Sequence, residues 1–133
     1  MRRIFGITKK ESTPTTKINW TKLTSQETLS QIKQDSNSQP ILIFKHSTRC
    51  PTSSMALNRL ERNWNGDVVN NMQTYYLDLI NYRNISNQMA SDFNVMHQSP
   101  QVLIISEGKA VYNESHMGIS FDKIQNIIGG VEV

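Results

Sequence analysis

The chain has 133 residues and a mass of 15.2 kDa, room for one compact domain and a tail. Apolar residues make up 37% and charged residues 19%, and no apolar run approaches the roughly 20 residues of a bilayer-spanning helix, which argues against a membrane protein. Of 14 basic and 11 acidic residues, giving a net charge of +3, Arg2, Arg3, Lys9, Lys10 and Lys17 precede Ile18 against Glu11 alone. The pI of about 9.1 therefore belongs to that end, and a nucleic-acid-binding face on the body has little support.

The sequence reads as a basic, flexible tail over residues 1–17 and one domain over 18–133. Ile4-Phe5-Gly6-Ile7 is shorter than the roughly 7 to 15 apolar residues of a secretory leader, and Ser12-Thr13-Pro14-Thr15-Thr16 disfavours regular structure. From Ile18 to Leu23 a weak first strand is expected. Thr24 and Glu27 stand at capping-box spacing before Leu29 and Ile32, which share one face of a first helix ending at Asp35-Ser36-Asn37-Ser38. Pro40 to Lys45 is a short apolar run of the kind covered on both faces of a sheet.

Met55, Leu57, Leu60 and Trp64 mark a second helix over about 51–63, closed by Asn65-Gly66. Tyr75 to Leu79 makes another strand, and Ile85, Met89, Phe93 and Met96 space out a third helix. Gln101 to Ile105 is a further buried strand, Glu107-Gly108 a hairpin turn, and Ala110-Val111-Tyr112 the start of its partner. Ser120 caps a last helix carrying Phe121, Ile124, Ile127 and Ile128. Helix-linked strands followed by a terminal hairpin predict an α/β fold with a central mixed sheet of four to five strands and helices on both faces; the thioredoxin-like fold is the compact architecture built this way, although element order alone leaves other small α/β folds open. Trp20, Trp64, Tyr75, Tyr76, Tyr82 and Phe93 are expected in the core.

Cys50 is the one cysteine in the chain, which excludes an intrachain disulfide framework and fits a reducing cytoplasm. A buried strand leads through a polar turn into Cys50, and Pro51 opens the next helix, where proline is tolerated. A sulfur at a helix start meets unpaired backbone N–H groups and the positive end of the helix dipole, and both stabilise a thiolate. Arg49, and His46 upstream, add positive charge, although His46 also fits a surface or capping role. Ser53 stands where a dithiol oxidoreductase carries its resolving thiol; it reads equally as a donor to the Cys50 thiolate or as a solvated first-turn serine. Any mixed disulfide on Cys50 must be resolved by an outside thiol. Ser99-Pro100, just before a buried strand, suits a cis peptide in a tight loop.

The segments Lys45-His46-Ser47-Thr48-x-Cys50-Pro51-x-Ser53, His97-x-Ser99-Pro100-Gln101 and Ser115-His116-x-x-Ile119-Ser120 resemble the monothiol bacilliredoxin-like proteins of the bacillithiol system. The likeness covers about Ile18 to Ile128. It implies a thioredoxin-like oxidoreductase in which Cys50 attacks bacillithiol mixed disulfides on proteins, with Arg49, Pro51, Thr52, Ser53 and His46 supporting. The family's Thr-Cys-Pro-Ile-Ser motif is altered here by Arg49 and Thr52. Ser99, Pro100 and His116 are the expected substrate contacts, with His116 before a helix N-terminus suited to the malate of bacillithiol. Bacillithiol is the expected co-substrate, with no tightly bound cofactor. S-bacillithiolated proteins and a bacillithiol disulfide reductase are the expected partners of a monomer, without nucleic acid or membrane. The three histidines and scattered acids do not form a metal site by spacing. A glutaredoxin-like iron–sulfur carrier and a non-catalytic thioredoxin-like docking module are the alternatives.

Overall fold

The computed structural model describes residues 18–131, so the tail expected over 1–17 lies outside the described residues. In chain order the elements are β1 (Thr21–Lys22), α1 (Gln26–Asp35), β2 (Ile41–His46), α2 (Pro51–Asn63), β3 (Gln73–Asp78), α3 (Arg83–Asp92), β4 (Gln101–Ser106), β5 (Lys109–Ser115), a single 3-10 turn at His116–Gly118, and α4 (Phe121–Val131). The sheet has five strands in the order β1-β3-β2-β4-β5. β1 and β2 both run parallel to β3, whereas β4 is antiparallel to both β2 and β5.

The central strand β2 is buried along its whole length, as its unbroken apolar run requires when both faces are covered. Its alternate residues feed two cores. Leu42 and Phe44 pack with Ala56 and Leu60 of α2 and with Phe121, Ile124 and Ile128 of α4. Ile41 and Ile43 point the other way, into Leu29 and Ile32 of α1 and Ile85 and Met89 of α3. An ion pair between Lys33 and Asp92 ties α1 to α3 at the surface.

Several local expectations are corrected. The first strand shrinks to two residues, Thr21–Lys22. Ser25, not Thr24, caps α1: its Oγ accepts from the Thr28 amide at 3.1 Å, so Thr28 takes the position the capping box gave to Glu27. Met55 and Met96 are exposed; Ala56 supplies the buried position beside Met55, and Met96 follows a helix that has already ended at Asp92. Trp20, Tyr75, Tyr76 and Tyr82 are only half-buried, because the short β1 covers little of the β3 edge. The Glu107-Gly108 turn has positive φ at both residues, 52° and 75°, the sense that matches the strand twist of a tight hairpin.

Because β2 and β3 are parallel, their C-terminal ends and the N-terminus of α2 lie at the same end of the sheet. β4 begins there too, since Lys45 pairs with Gln101. The topology thus brings the Cys50 turn and the Ser99-Pro100 loop together at one edge of the molecule.

Candidate active site

Cys50 is the N-cap residue of α2, with φ −109° and ψ 114°. Its amide donates to the Ser47 carbonyl at 3.1 Å, closing the turn from β2, and its carbonyl accepts the Ser54 amide at 3.2 Å. Cys50 is thus the cap residue by its backbone, while its sulfur accepts no hydrogen bond from the first-turn amides, and Pro51 fills N1, where no amide is needed. Cys50 is half-buried and reduced, Thr52 is half-buried, and Arg49 and Pro51 are exposed.

Ser53 is fully buried and faces the strand. Its Oγ accepts from the Ser47 amide at 3.1 Å and lies 2.6 Å from His46 Nδ1. This corrects both readings of Ser53, as a solvated serine and as a donor to the thiolate, because its hydroxyl is engaged with His46. His46 is likewise corrected: it is 6% exposed, not a surface residue. Its ring packs 5.5 Å from Tyr76 and 6.2 Å from Phe44. Burial pulls its pKa below the ordinary histidine value, against the opposing pull of the Asp78 and Glu61 carboxylates. A neutral imidazole accepting the Ser53 proton at Nδ1 satisfies the Ser53 hydroxyl, as the Ser53 oxygen satisfies the Ser47 amide, and leaves the imidazole proton on Nε2.

The Ser99–Pro100 peptide is cis. Pro100 is buried, and its carbonyl accepts from the His116 amide at 3.1 Å, so His116 reaches the loop through its backbone. Its side chain is exposed and its φ is +56°. Ser120 Oγ accepts from the Lys123 amide at 3.3 Å, capping α4. Glu114 and Asp122 already place carboxylates around that helix start. Ser99 Oγ is buried and finds no hydrogen-bond partner among the described residues.

Sequence reasoning missed a second buried polar group. Lys45, counted within an apolar run, is 1% exposed, and its Nζ lies 3.0 Å from His97 Nδ1. Ser86 Oγ lies 3.3 Å from the same nitrogen. Burial first, and the Arg83 guanidinium second, push the Lys45 pKa down to about 8; burial, Lys45 and Arg83 likewise lower that of His97. A lysine ending a run of four apolar residues in a central strand was the signal available. Gln101 fastens the same loop, donating to the Met96 carbonyl at 3.1 Å.

A cleft of about 650 Å³ is lined by Asn19, Trp64, Asn71 and Gln73, at the end of the sheet away from Cys50. A smaller one, about 460 Å³, is walled by Trp20, Tyr76, Asp78 and Tyr82 and adjoins His46 through Tyr76.

The monothiol bacilliredoxin family model matches residues 21–124. The chain belongs to that family. As a bacilliredoxin family member it also resembles solved thioredoxin folds. One, described as a candidate oxidoreductase with a thioredoxin fold, is 28% identical, covers 79% of this chain and 89% of its own, and has a TM-score of 0.68. The thioredoxin of Malassezia sympodialis is 13% identical over 84% of this chain and 90% of its own, with a TM-score of 0.65. The long form of spinach chloroplast thioredoxin f is 13% identical, covers 89% and 88%, and also has a TM-score of 0.65. The fold is thioredoxin-like, and family and fold together support a redox function.

Proposed function

We propose that this bacilliredoxin family member removes bacillithiol from S-bacillithiolated proteins through a mixed disulfide on Cys50. The supporting observation is Cys50 at the N-cap of α2, with the hydroxyl of Ser53 engaged with His46 where a dithiol enzyme would hold a second sulfur. The Cys50 thiolate attacks the bacillithiol sulfur, the protein–sulfur bond breaks, and the protein leaves as a thiolate that takes a proton from water. Cys50 is then disulfide-bonded to bacillithiol. A second bacillithiol thiolate attacks that adduct, freeing Cys50 and releasing bacillithiol disulfide; a bacillithiol disulfide reductase then restores the small thiol. On this reading the protein is cytoplasmic and acts as a monomer without a bound cofactor. On this reading Arg49, Pro51 and Thr52 flank the nucleophile, and Ser99 and Pro100, at the same end of the sheet, contact the substrate.

Mass spectrometry of a bacillithiolated substrate mixed with wild-type and Cys50→Ser protein tests the proposal. One equivalent of wild-type protein should yield at most one equivalent of repaired substrate with the adduct on Cys50, and turnover should need added bacillithiol. Equal repair by Cys50→Ser protein would refute it. Ser53→Cys, which supplies an internal resolving thiol, should convert the adduct into a disulfide between Cys50 and the introduced thiol and release bacillithiol without an added thiol.

A further inference from the structure

Lys45 and His97 form a pair of donor groups beside the Ser99-Pro100 loop, and the Arg83 guanidinium is near enough to act on both. Lys45 is 1% exposed, and its hydrogen-bond partner is an imidazole nitrogen instead of a carboxylate. The charged neighbour that acts on it is another cation, Arg83. A buried ammonium without a counter-ion is costly, and buried charges in folded proteins are as a rule paired. Arg83 is exposed on the first turn of α3. That turn contains no acidic residue, and Tyr82 at the cap makes no side-chain hydrogen bond to it.

The protons in the cluster can be placed. Lys45 Nζ can only donate, so Nδ1 of His97 accepts from it, and the Ser86 hydroxyl is a second donor to the same atom. With Nδ1 occupied as an acceptor, neutral His97 carries its proton on Nε2. His97 is half-buried, so the cluster offers a guanidinium and an imidazole N–H, with an ammonium fixed behind them. The contrast with α4 decides where an acid group would dock. At the start of α4, Glu114 is paired with Lys123 and Asp122 adds a second carboxylate, whereas no carboxylate among the described residues contributes to the shifts of Lys45 or His97.

We propose that Arg83 and His97, with Lys45 fixing the His97 tautomer, bind a carboxylate of the small thiol while its sulfur is exchanged at Cys50. This assignment rests on the bacillithiol reading above, because it identifies the anion as the malate end of that thiol, and it moves the acid subsite from His116 and the start of α4 to the start of α3. Lys45 acts as a positioning residue through His97. The placement is consistent with reach: Lys45 lies at the end of the strand that turns into Cys50, and His97 lies in the loop that ends at Pro100.

The test has two arms on the full-length reduced protein. In the first, malate is titrated against chloride at matched ionic strength while the His97 imidazole is followed by NMR. Malate should shift its resonances and raise its pKa, and Arg83→Ala should remove both effects. In the second, formation of the Cys50 adduct is timed with bacillithiol disulfide and with neutral 2-hydroxyethyl disulfide. Arg83→Ala should slow the first about tenfold, the worth of one charge-assisted contact, and leave the second nearly unchanged.

If malate moves His97 no more than chloride does, or if Arg83→Ala slows both disulfides equally, the subsite assignment is overturned. The second pattern would point to an effect on the fold or on Cys50 itself. A wild-type protein that never forms an adduct with bacillithiol disulfide would overturn the redox reading and the identity of the ligand together. An adduct with an unmoved His97 overturns the subsite alone.

Discussion

Lys45 and His46 are adjacent in β2, and the pleat sends them to opposite faces of the sheet into opposite electrostatic surroundings. His46 meets a serine hydroxyl at 2.6 Å, with the carboxylates of Asp78 and Glu61 acting on it. Lys45 meets a histidine at 3.0 Å, with the guanidinium of Arg83 acting on it. The first group is internally satisfied and braces the turn beneath Cys50. The second carries positive charge that no carboxylate among the described residues offsets, and it braces the loop ending at Pro100. Burial alone therefore does not say whether a polar residue serves the fold or waits for a ligand; the sign of its neighbours does.

Breaking the satisfied side should have the largest effect. Ser53→Ala leaves both the Ser47 amide and His46 Nδ1 without their partner inside the protein. Each orphaned buried group costs about 1–3 kcal/mol, so a loss of roughly 2–6 kcal/mol is expected from urea denaturation. Ser53→Thr, which keeps the hydroxyl, should recover part of it if the added methyl fits. A loss below about 0.5 kcal/mol, less than one ordinary hydrogen bond, would mean that the His46–Ser53–Ser47 group is not the brace described.

The same kind of change on the other face should have the opposite sign. Lys45→Met keeps the length and apolar stem of the side chain while removing a buried charge that no carboxylate offsets. In the ligand-free protein near pH 7 it should stabilise the fold by about 1–3 kcal/mol, while weakening malate binding through the loss of tautomer control at His97. Stability gained and anion affinity lost in one variant would separate this side from that of His46. Destabilisation by Lys45→Met would show that the ammonium is compensated after all.

The difference between the two residues also explains what the sequence made legible. β2, β4 and the four helices could be read because their apolar periodicity reports which face is buried, and Cys50-Pro51 could be placed at a helix start because proline is tolerated there. The roles of His46 and Ser53 could not, since the partner of a polar side chain depends on tertiary register: Ser53 turns inward because the strand leaves the Ser47 amide open beneath it. Lys45 was hidden for the reverse reason, as one charge inside an apolar pattern. Its partner His97 is far away in the chain and adjacent only once β4 pairs with β2. Ser25 displaced Thr24 as the cap of α1 because two hydroxyl residues in succession offer the same chemistry one position apart.

Titration should resolve the comparison further. His46 and His97 both have folded pKa values below the ordinary 6.5, so the unfolded chain binds more protons as pH falls through 6.5. Their contribution to stability is intact above that pH and declines below it. Lys45, at about 8 in the fold against 10.5 in the unfolded chain, makes stability rise as pH increases from about 8. Above about 10 the half-buried tyrosines oppose this, because the raised pKa values of Tyr75, Tyr76 and Tyr112 leave the unfolded chain to ionise first. Urea midpoints between about pH 8 and 10 should therefore climb for the wild type and stay flat for Lys45→Met, whereas the acid decline should survive in that variant through His46. A climb of equal slope in both proteins would remove Lys45 as its source.

The smallest expected effect comes from Ser86, which stands to His97 as Ser53 stands to His46. Both serines are fully buried, yet the Ser86 contact is 3.3 Å long against 2.6 Å, and the nitrogen it meets already has the Lys45 ammonium at 3.0 Å. Removing the hydroxyl leaves His97 Nδ1 satisfied and orphans nothing, so Ser86→Ala should cost about 0.5 kcal/mol, the low end for a single hydrogen bond, and leave the His97 tautomer unchanged. In the Lys45→Met background the same serine becomes the remaining donor to Nδ1, and its removal should then cost more. The coupling measured in that double-mutant cycle tests whether Lys45 and Ser86 share one acceptor: strictly additive effects would mean that they do not, and that the tautomer of His97 is set by something other than these two donors.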